Sequence, residues 1–480
     1  MSATLEVRPE ISSAAGAVRE LVARARAAQE TYAQSSQAQL DEVVAAAGWA
    51  IMEPARNRTL AEIAVRDTGL GNVTDKIDKN HRKTLGLLRD LHSAVSTGVI
   101  AEHADAGVIE IARPVGVVAA VVPSTNPGAT PANNIINALK CGNAIILSPS
   151  PKGYSTSAKL LEFIAQELAR VGAPEDLVQI LPEPITKELS TELMKQADLV
   201  VVTGSQSNVK AAYSSGTPAL GVGAGNVAVI VDESADCEAA AAKIIRSKIF
   251  DNATSCSSEN SVIILDGVYD RTVRALEHEG GAMLTPGEKA VLERAMFPGG
   301  KLSAAVTAQT VSRICELSEL ARPELTGAKC LMVEETGAGR AHPFSGEKLS
   351  PVLTIYRARD FDHAFGLMRA IYDYMGNGHS CGIHSESDAH IDRLGHEMTV
   401  CRVIVNQAHA IANGGSFDNG LPFSLTMGCG TWGGNSFSDN LNYRHFMNVT
   451  RIVRPITPRE PTLEEVFGAY WTRHNIKIEP

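Results

Sequence analysis

Between residues 115 and 205 lie four short, almost wholly apolar segments: VGVVAAVV (115–122), NAIILS (143–148), LVQIL (177–181) and ADLVVVTGS (197–205). Each reads as a strand buried on both faces, because apolar residues fill it without alternation. Helical segments separate them, one running through Leu139, one over 154–171 and one starting near Gln206. Strands alternating with helices predict an α/β fold with a parallel sheet between helical layers. After Asn226 the alternation restarts with VAVIV (227–231), a helix over about 235–250, the loop DNATSCSSEN (251–260) and the strand SVIIL (261–265), which predicts a second α/β domain.

The chain outside these units is less specific. From Ser12 to about Ala94 the three-and-four spacing of Val18, Leu21, Val22 and Ala25, then Leu40, Val43, Val44 and Ala47, predicts amphipathic helices that carry no nameable chemistry. VIEIARP (108–114) alternates like a strand, and the Gly/Asn/Ser-rich region 406–442 reads as loop that builds a site. The expected division is 1–229 for a cofactor domain containing arm strands near 96–112, 230–436 for a catalytic domain, and 437–480 for an oligomerisation tail.

Charge and cysteine usage narrow the function classes. A net charge of -10 argues against a nucleic-acid or anionic-membrane binder. The longest strongly apolar run, 115–122, is far short of the roughly 18 residues a spanning helix needs. The N-terminus carries Glu6 and Glu10 and lacks a secretory pattern, so a cytoplasmic protein is expected. Eight cysteines without a C-x-x-C pair indicate reduced thiols rather than a disulfide framework or zinc ribbon.

Cys256 is the candidate nucleophile, since a polar loop between a helix and a buried strand can present a thiol to a cleft; position alone leaves an inert cysteine as the competing reading. For phosphate binding, GVGAGN (221–226) is rejected because a strand follows it, whereas at Thr203, Gly204 and Ser205 a strand ends and a helix begins. An ordinary helix cap explains 203–205 equally well. His379, Cys381 and His384 lack further ligands at metal-binding spacing, so no metal is expected.

Taken together, TGLGNVTDKIDKNH (68–81), PVGVVAAVVPSTNP (114–127), NAIILSPSPK (143–152), 200–226, KIFDNATSCSSENSVI (248–263), EKLSPVL (347–353) and MGCGTWGGNSFSDN (427–440) resemble the aldehyde dehydrogenase superfamily. The resemblance is to its CoA-acylating branch, as in the aldehyde dehydrogenase half of bifunctional aldehyde-alcohol dehydrogenases. It implies a Rossmann-type cofactor domain, a catalytic domain and a β oligomerisation arm. It makes Cys256 the nucleophile and gives the oxyanion hole to Asn126 and the Cys256 N–H. It assigns NAD or NADP to Ser124, Thr125, Ser148, Pro149, Lys152, Thr203, Gly204, Ser205, Gly221, Val222, Gly223 and Glu347, with CoA as cosubstrate and a homodimer or homotetramer as the assembly.

Two departures refine that expectation. Hydrolytic members resemble E-L-G-G-K-N where this chain has Gly221, Val222, Gly223, Ala224, Gly225 and Asn226, so the carboxylate that deprotonates water is missing. A CoA thiol needs no such base, and acyl transfer becomes the expected exit unless Glu259 or Glu335 substitutes. Hydrolytic members also carry K-P-x-E where this chain has Ser148, Pro149, Ser150, Pro151 and Lys152, which leaves NAD and NADP both open. If the family architecture holds, the small, polar loop 406–416 reaches the acyl pocket and suits a short aldehyde, sulfoacetaldehyde or succinic semialdehyde if anionic and acetaldehyde if neutral; the overall resemblance puts sulfoacetaldehyde first. A hydrolytic dehydrogenase, an acyl-phosphate reductase and a non-catalytic family member are the alternatives.

Overall fold

The computed structural model describes residues 14–477. Five parallel strands form the first sheet in the order Val178–Ile180, Ala144–Pro149, Val117–Val122, Leu199–Thr203, Ala219–Val222. Every residue of Val117–Val122 and Ala144–Pro149 is buried, as the unbroken apolar runs require. Helices Ala14–Tyr32, Ala129–Lys140, Tyr154–Arg170 and Lys187–Gln196 pack against this sheet. The chain order reverses at Val117–Val122, so a crevice opens between the carboxyl ends of that strand and Leu199–Thr203, where ligands bind in open α/β sheets.

The second sheet has seven parallel strands, in the order Gly281–Met283, Cys330–Glu334, Val352–Ala358, Glu259–Leu265, Val227–Val231, Cys381–His384, Val403–Val405. Val227–Val231 lies wholly within it and pairs with Glu259–Leu265 and Cys381–His384. The expected boundary at 229 therefore cuts a strand, and the division falls in the link 223–226 instead.

A third sheet is the arm: Gly98–His103 pairs antiparallel with Val108–Pro114, and Met447–Val453 from the far end of the chain completes it. Before joining the arm, the C-terminal segment packs back on the first core. Asn143 Nδ2 donates to Phe446 O at 2.7 Å, and Leu441 and Phe446 are fully buried there.

Four helices, Ala14–Tyr32, Gln37–Met52, Pro54–Thr68 and Val73–Leu91, occupy the N-terminal segment. Their boundaries follow local chemistry. Ser36 and Gln39 form a capping box, Pro54 occupies a first-turn position, Gly69 closes a helix in the left-handed conformation, and the Asn72 side chain caps the next. No described helix is long and apolar enough to cross a membrane.

Candidate active site

The two parallel sheets meet end to end. Loops at 123–126 and 203–205 leave the carboxyl ends of the first sheet, while the link 223–226 and the turn at 255–258 lead into adjacent strands of the second. Between them lies a cavity of about 310 Å³ lined by Ser124, Thr125, Asn126, Thr203, Gly204, Ser205, Gly223, Cys256 and Glu347. Nine of the fourteen residues expected at the site thus share one space.

The other five lie elsewhere. Lys152 is exposed, and the Ser148 hydroxyl is 2.8 Å from that of Ser190, close to Pro149 at the strand end. Val222 is buried in the sheet opposite Thr203. The Gly221 N–H donates to Tyr213 Oη at 3.1 Å, and a Cβ at 221 would meet Val209 at 3.0 Å and Tyr213 at 3.2 Å. Position 221 therefore has no room for a longer side chain without movement of its neighbours.

The expected phosphate loop is also more specific than its sequence. Thr203 Oγ1 is 2.6 Å from Thr426 Oγ1, and the Gly204 N–H donates to Val222 O at 3.2 Å. Neither is free for a ligand. The open donors are the Gln206 and Ser207 N–H groups at the start of helix Gln206–Tyr213, capped by the Ser205 side chain. Helix start and crevice together fit a dinucleotide, which residues 123–126 and 205–207 would hold.

Cys256 is only partly buried, whereas six of the other seven cysteines are buried. The backbone leading to it is strained: Asp251, Asn252 and Ala253 all have positive φ, at 51°, 52° and 59°. Asp251 fixes this path. It is fully buried, accepts from Lys76 Nζ at 3.0 Å and Lys79 Nζ at 2.5 Å, and also accepts from Thr254 Oγ1 and the Asn72 N–H. Downstream, His409 Nδ1 lies 2.9 Å from Ser257 O and Asn413 Nδ2 donates to Ser257 Oγ at 2.8 Å. The loop 406–416 thus braces the nucleophile turn, and Ala410 and Gly414 line the cavity.

Lys79 also donates to Asn126 Oδ1 at 2.8 Å. An amide whose oxygen is held by an ammonium presents its NH₂ group elsewhere, so Asn126 Nδ2 is the end left to donate into the cavity. Helix Val73–Leu91 therefore supplies Lys76, Lys79 and Lys83 to the site, correcting the expectation that the N-terminal helices carry no chemistry. The missed signal is a stripe: Lys76, Lys79 and Lys83 continue into Leu87 and Leu91 on one buried helix face.

Burial pushes the Cys256 thiol up to about 12, with Glu347 adding to the shift. Burial raises Glu347 itself to about 8 against the opposing hydrogen bond from the Gly225 N–H at 3.3 Å. Glu347 is the carboxylate of the cavity lining; Glu259 and Glu335 are not in it. Glu259 accepts from Ser247 Oγ and the His409 N–H, and Glu335 pairs with Lys289 and His342. Neither stands ready to replace a water-activating base at Cys256. His379 is fully buried beside Ser380 and outside the lining, and no group of three or more potential metal ligands occurs among the described residues.

Residues 7–420 match the model of the aldehyde dehydrogenase family. An acylating sulfoacetaldehyde dehydrogenase of Cupriavidus necator is 60% identical over 472 residues, covering 98% of this chain and 96% of the relative. The crystal structure of an acetylating aldehyde dehydrogenase from Geobacillus thermoglucosidasius superposes with a TM-score of 0.89 at 34% identity, over 94% of this chain and 98% of that one. A propionaldehyde dehydrogenase from Rhodopseudomonas palustris, solved with bound CoA and an acylated cysteine, gives a TM-score of 0.81 at 25% identity over 91% and 97%. The chain belongs to the aldehyde dehydrogenase family. Within it, the chain falls in the CoA-acylating branch.

Proposed function

We propose that the protein is an NAD(P)-dependent acylating dehydrogenase that converts sulfoacetaldehyde and CoA to sulfoacetyl-CoA. What carries the reading is the shared cavity of Cys256 and Asn126, whose one lining carboxylate, Glu347, is engaged by a backbone N–H. The likeness to the Cupriavidus necator enzyme supports the choice of aldehyde.

In this mechanism the Cys256 sulfur, as thiolate, adds to the aldehyde carbon. Asn126 Nδ2, aimed by Lys79, and the Cys256 N–H donate to the resulting alkoxide oxygen. A nicotinamide dinucleotide held by residues 123–126 and 205–207 would supply the hydride acceptor, and loss of hydride from the adduct carbon leaves a thioester on Cys256. CoA sulfur then attacks the acyl carbon, and Cys256 leaves as thiolate. Because position 221 bears no carboxylate and Glu259 and Glu335 lie outside the cavity lining, CoA meets no activated water as a competitor at that stage. Both NAD and NADP fit the reading, since no acidic side chain stands at 148–152 to repel a 2′-phosphate.

We further infer that the arm and the C-terminal tail pair with another copy of the chain. Val453 is 70% exposed at the arm, and Leu463, Val466, Phe467 and Tyr470 on helix Leu463–Arg473 are exposed as well. Such surface on an open sheet edge and an unpacked helix favours self-association.

Product analysis with and without CoA tests the reaction. Sulfoacetyl-CoA should accumulate with reduced cofactor only when CoA is present. Unchanged cofactor reduction without CoA, with free sulfoacetate as product, would overturn it.

A further inference from the structure

Three lysines on one face of helix Val73–Leu91 are buried, but their charges are treated differently. Lys76 and Lys79 share the Asp251 carboxylate. Lys83, only 5% exposed, has no carboxylate within ion-pair distance among the described residues. Its Nζ donates to Gly414 O, and the Phe423 ring centroid lies 5.6 Å away. An ammonium has three donors, so two remain without an acceptor. Lys83 also lines the same cavity as Cys256, together with Ala410, Gly414 and Ser424.

A buried cation without a counter-ion is costly and survives where a partner arrives with function. The local packing accommodates it specifically: a Cβ at Gly414 would lie 2.5 Å from Lys83 Nζ. Burial, reinforced by neighbouring Arg82 and Lys79, holds Lys83 well below the ordinary lysine range. An incoming anion reverses both effects.

We propose that Lys83 is the specificity-determining residue of the acyl side, its ammonium binding the anionic group that the aldehyde carries beside its reacting carbon. The inference rests on the proposed function and names the residue that selects that substrate. Sulfonate oxygens would take the two open donors while the carbonyl carbon faces Cys256. A neutral aldehyde leaves the same donors unanswered, so it gains nothing from the charge.

The test compares wild type, Lys83→Met and Lys83→Arg on sulfoacetaldehyde and propionaldehyde, with 2-hydroxyethanesulfonate as a non-reacting inhibitor. Lys83→Met should raise KM for sulfoacetaldehyde and lower its kcat/KM relative to propionaldehyde by about 10- to 100-fold, the range of a hydrogen bond to a charged group. Inhibition by 2-hydroxyethanesulfonate should weaken by a similar factor, and Lys83→Arg should recover most of the preference. Equal losses on both aldehydes with unchanged sulfonate inhibition would instead make Lys83 a structural or thiol-activating group and overturn the proposal. If Lys83→Met does not fold, Lys83→Gln takes its place with the same two outcomes. Sulfonate inhibition is read on propionaldehyde turnover, so a wild type that binds the probe through Lys83 yet makes no sulfoacetyl-CoA would refute the reaction and retain the anion site.

Discussion

Cys256 lines the cavity, and its surroundings favour the thiol over the thiolate. Burial raises it first and Glu347 second, and Glu347 is itself raised to about 8. Below that pH Glu347 is mostly neutral and exerts little pull; above it, the carboxylate opposes thiolate formation. Alkylation of Cys256 by iodoacetamide should therefore be slow at neutral pH. Glu347→Gln should accelerate it mainly above pH 8, while equal acceleration at pH 6 and pH 9 would contradict the coupling. Asn126→Ala removes the amide donor and should lower kcat by about 10²- to 10³-fold with a small change in KM. Steady-state kinetics with saturating CoA check this.

Helix Val73–Leu91 and the bend at Asp251 act as one device. The helix brings two ammonium groups to a carboxylate that begins a run of three consecutive positive-φ residues. Asp251→Asn keeps the shape and leaves two buried cations without their anion, so a loss of about 3–5 kcal/mol is expected from denaturant unfolding. Burial alone would raise Asp251, but Lys79 and Lys76 outweigh it and hold the carboxyl below its usual range. Its folded value is depressed, so its contribution is complete above about pH 4 and fades as pH falls through the lower folded value. The gap between wild type and Asp251→Asn should accordingly close in acid. This device was hidden in the sequence because TDKIDKNHRK looks like a solvated helix face, whereas Cys256 was legible as a thiol in a polar loop flanked by apolar segments. Gly221 was legible only in part. Its alignment with a missing glutamate was legible, but the crowding by Val209 and Tyr213 depends on contacts from a separate helix.

At the level of the whole molecule, four strands of the first sheet and two of the second could be read from their apolar runs, but the way the sheets face each other could not. Strand patterns specify burial, not which ends of two sheets meet. The meeting is made by a four-residue link, 223–226, and by loops whose polar residues carry no periodicity. The arm has a different logic: Met447–Val453 pairs with Val108–Pro114 across most of the chain's length, and its outward residues are exposed. Truncation after Arg454 removes helix Leu463–Arg473 and should reduce the mass measured by light scattering to that of a smaller assembly or a single chain. An unchanged mass would assign assembly to another surface.

The face of helix Val73–Leu91 also bears on how such a protein can change through descent. The turn at Lys76 and Lys79 secures the nucleophile loop and the Asn126 amide, and the next turn carries Lys83 beside the acyl end of the cavity. Appetite for a different aldehyde can thus drift through Lys83 one residue at a time, without any ancestor along the way having lost the bend that makes the thiol useful.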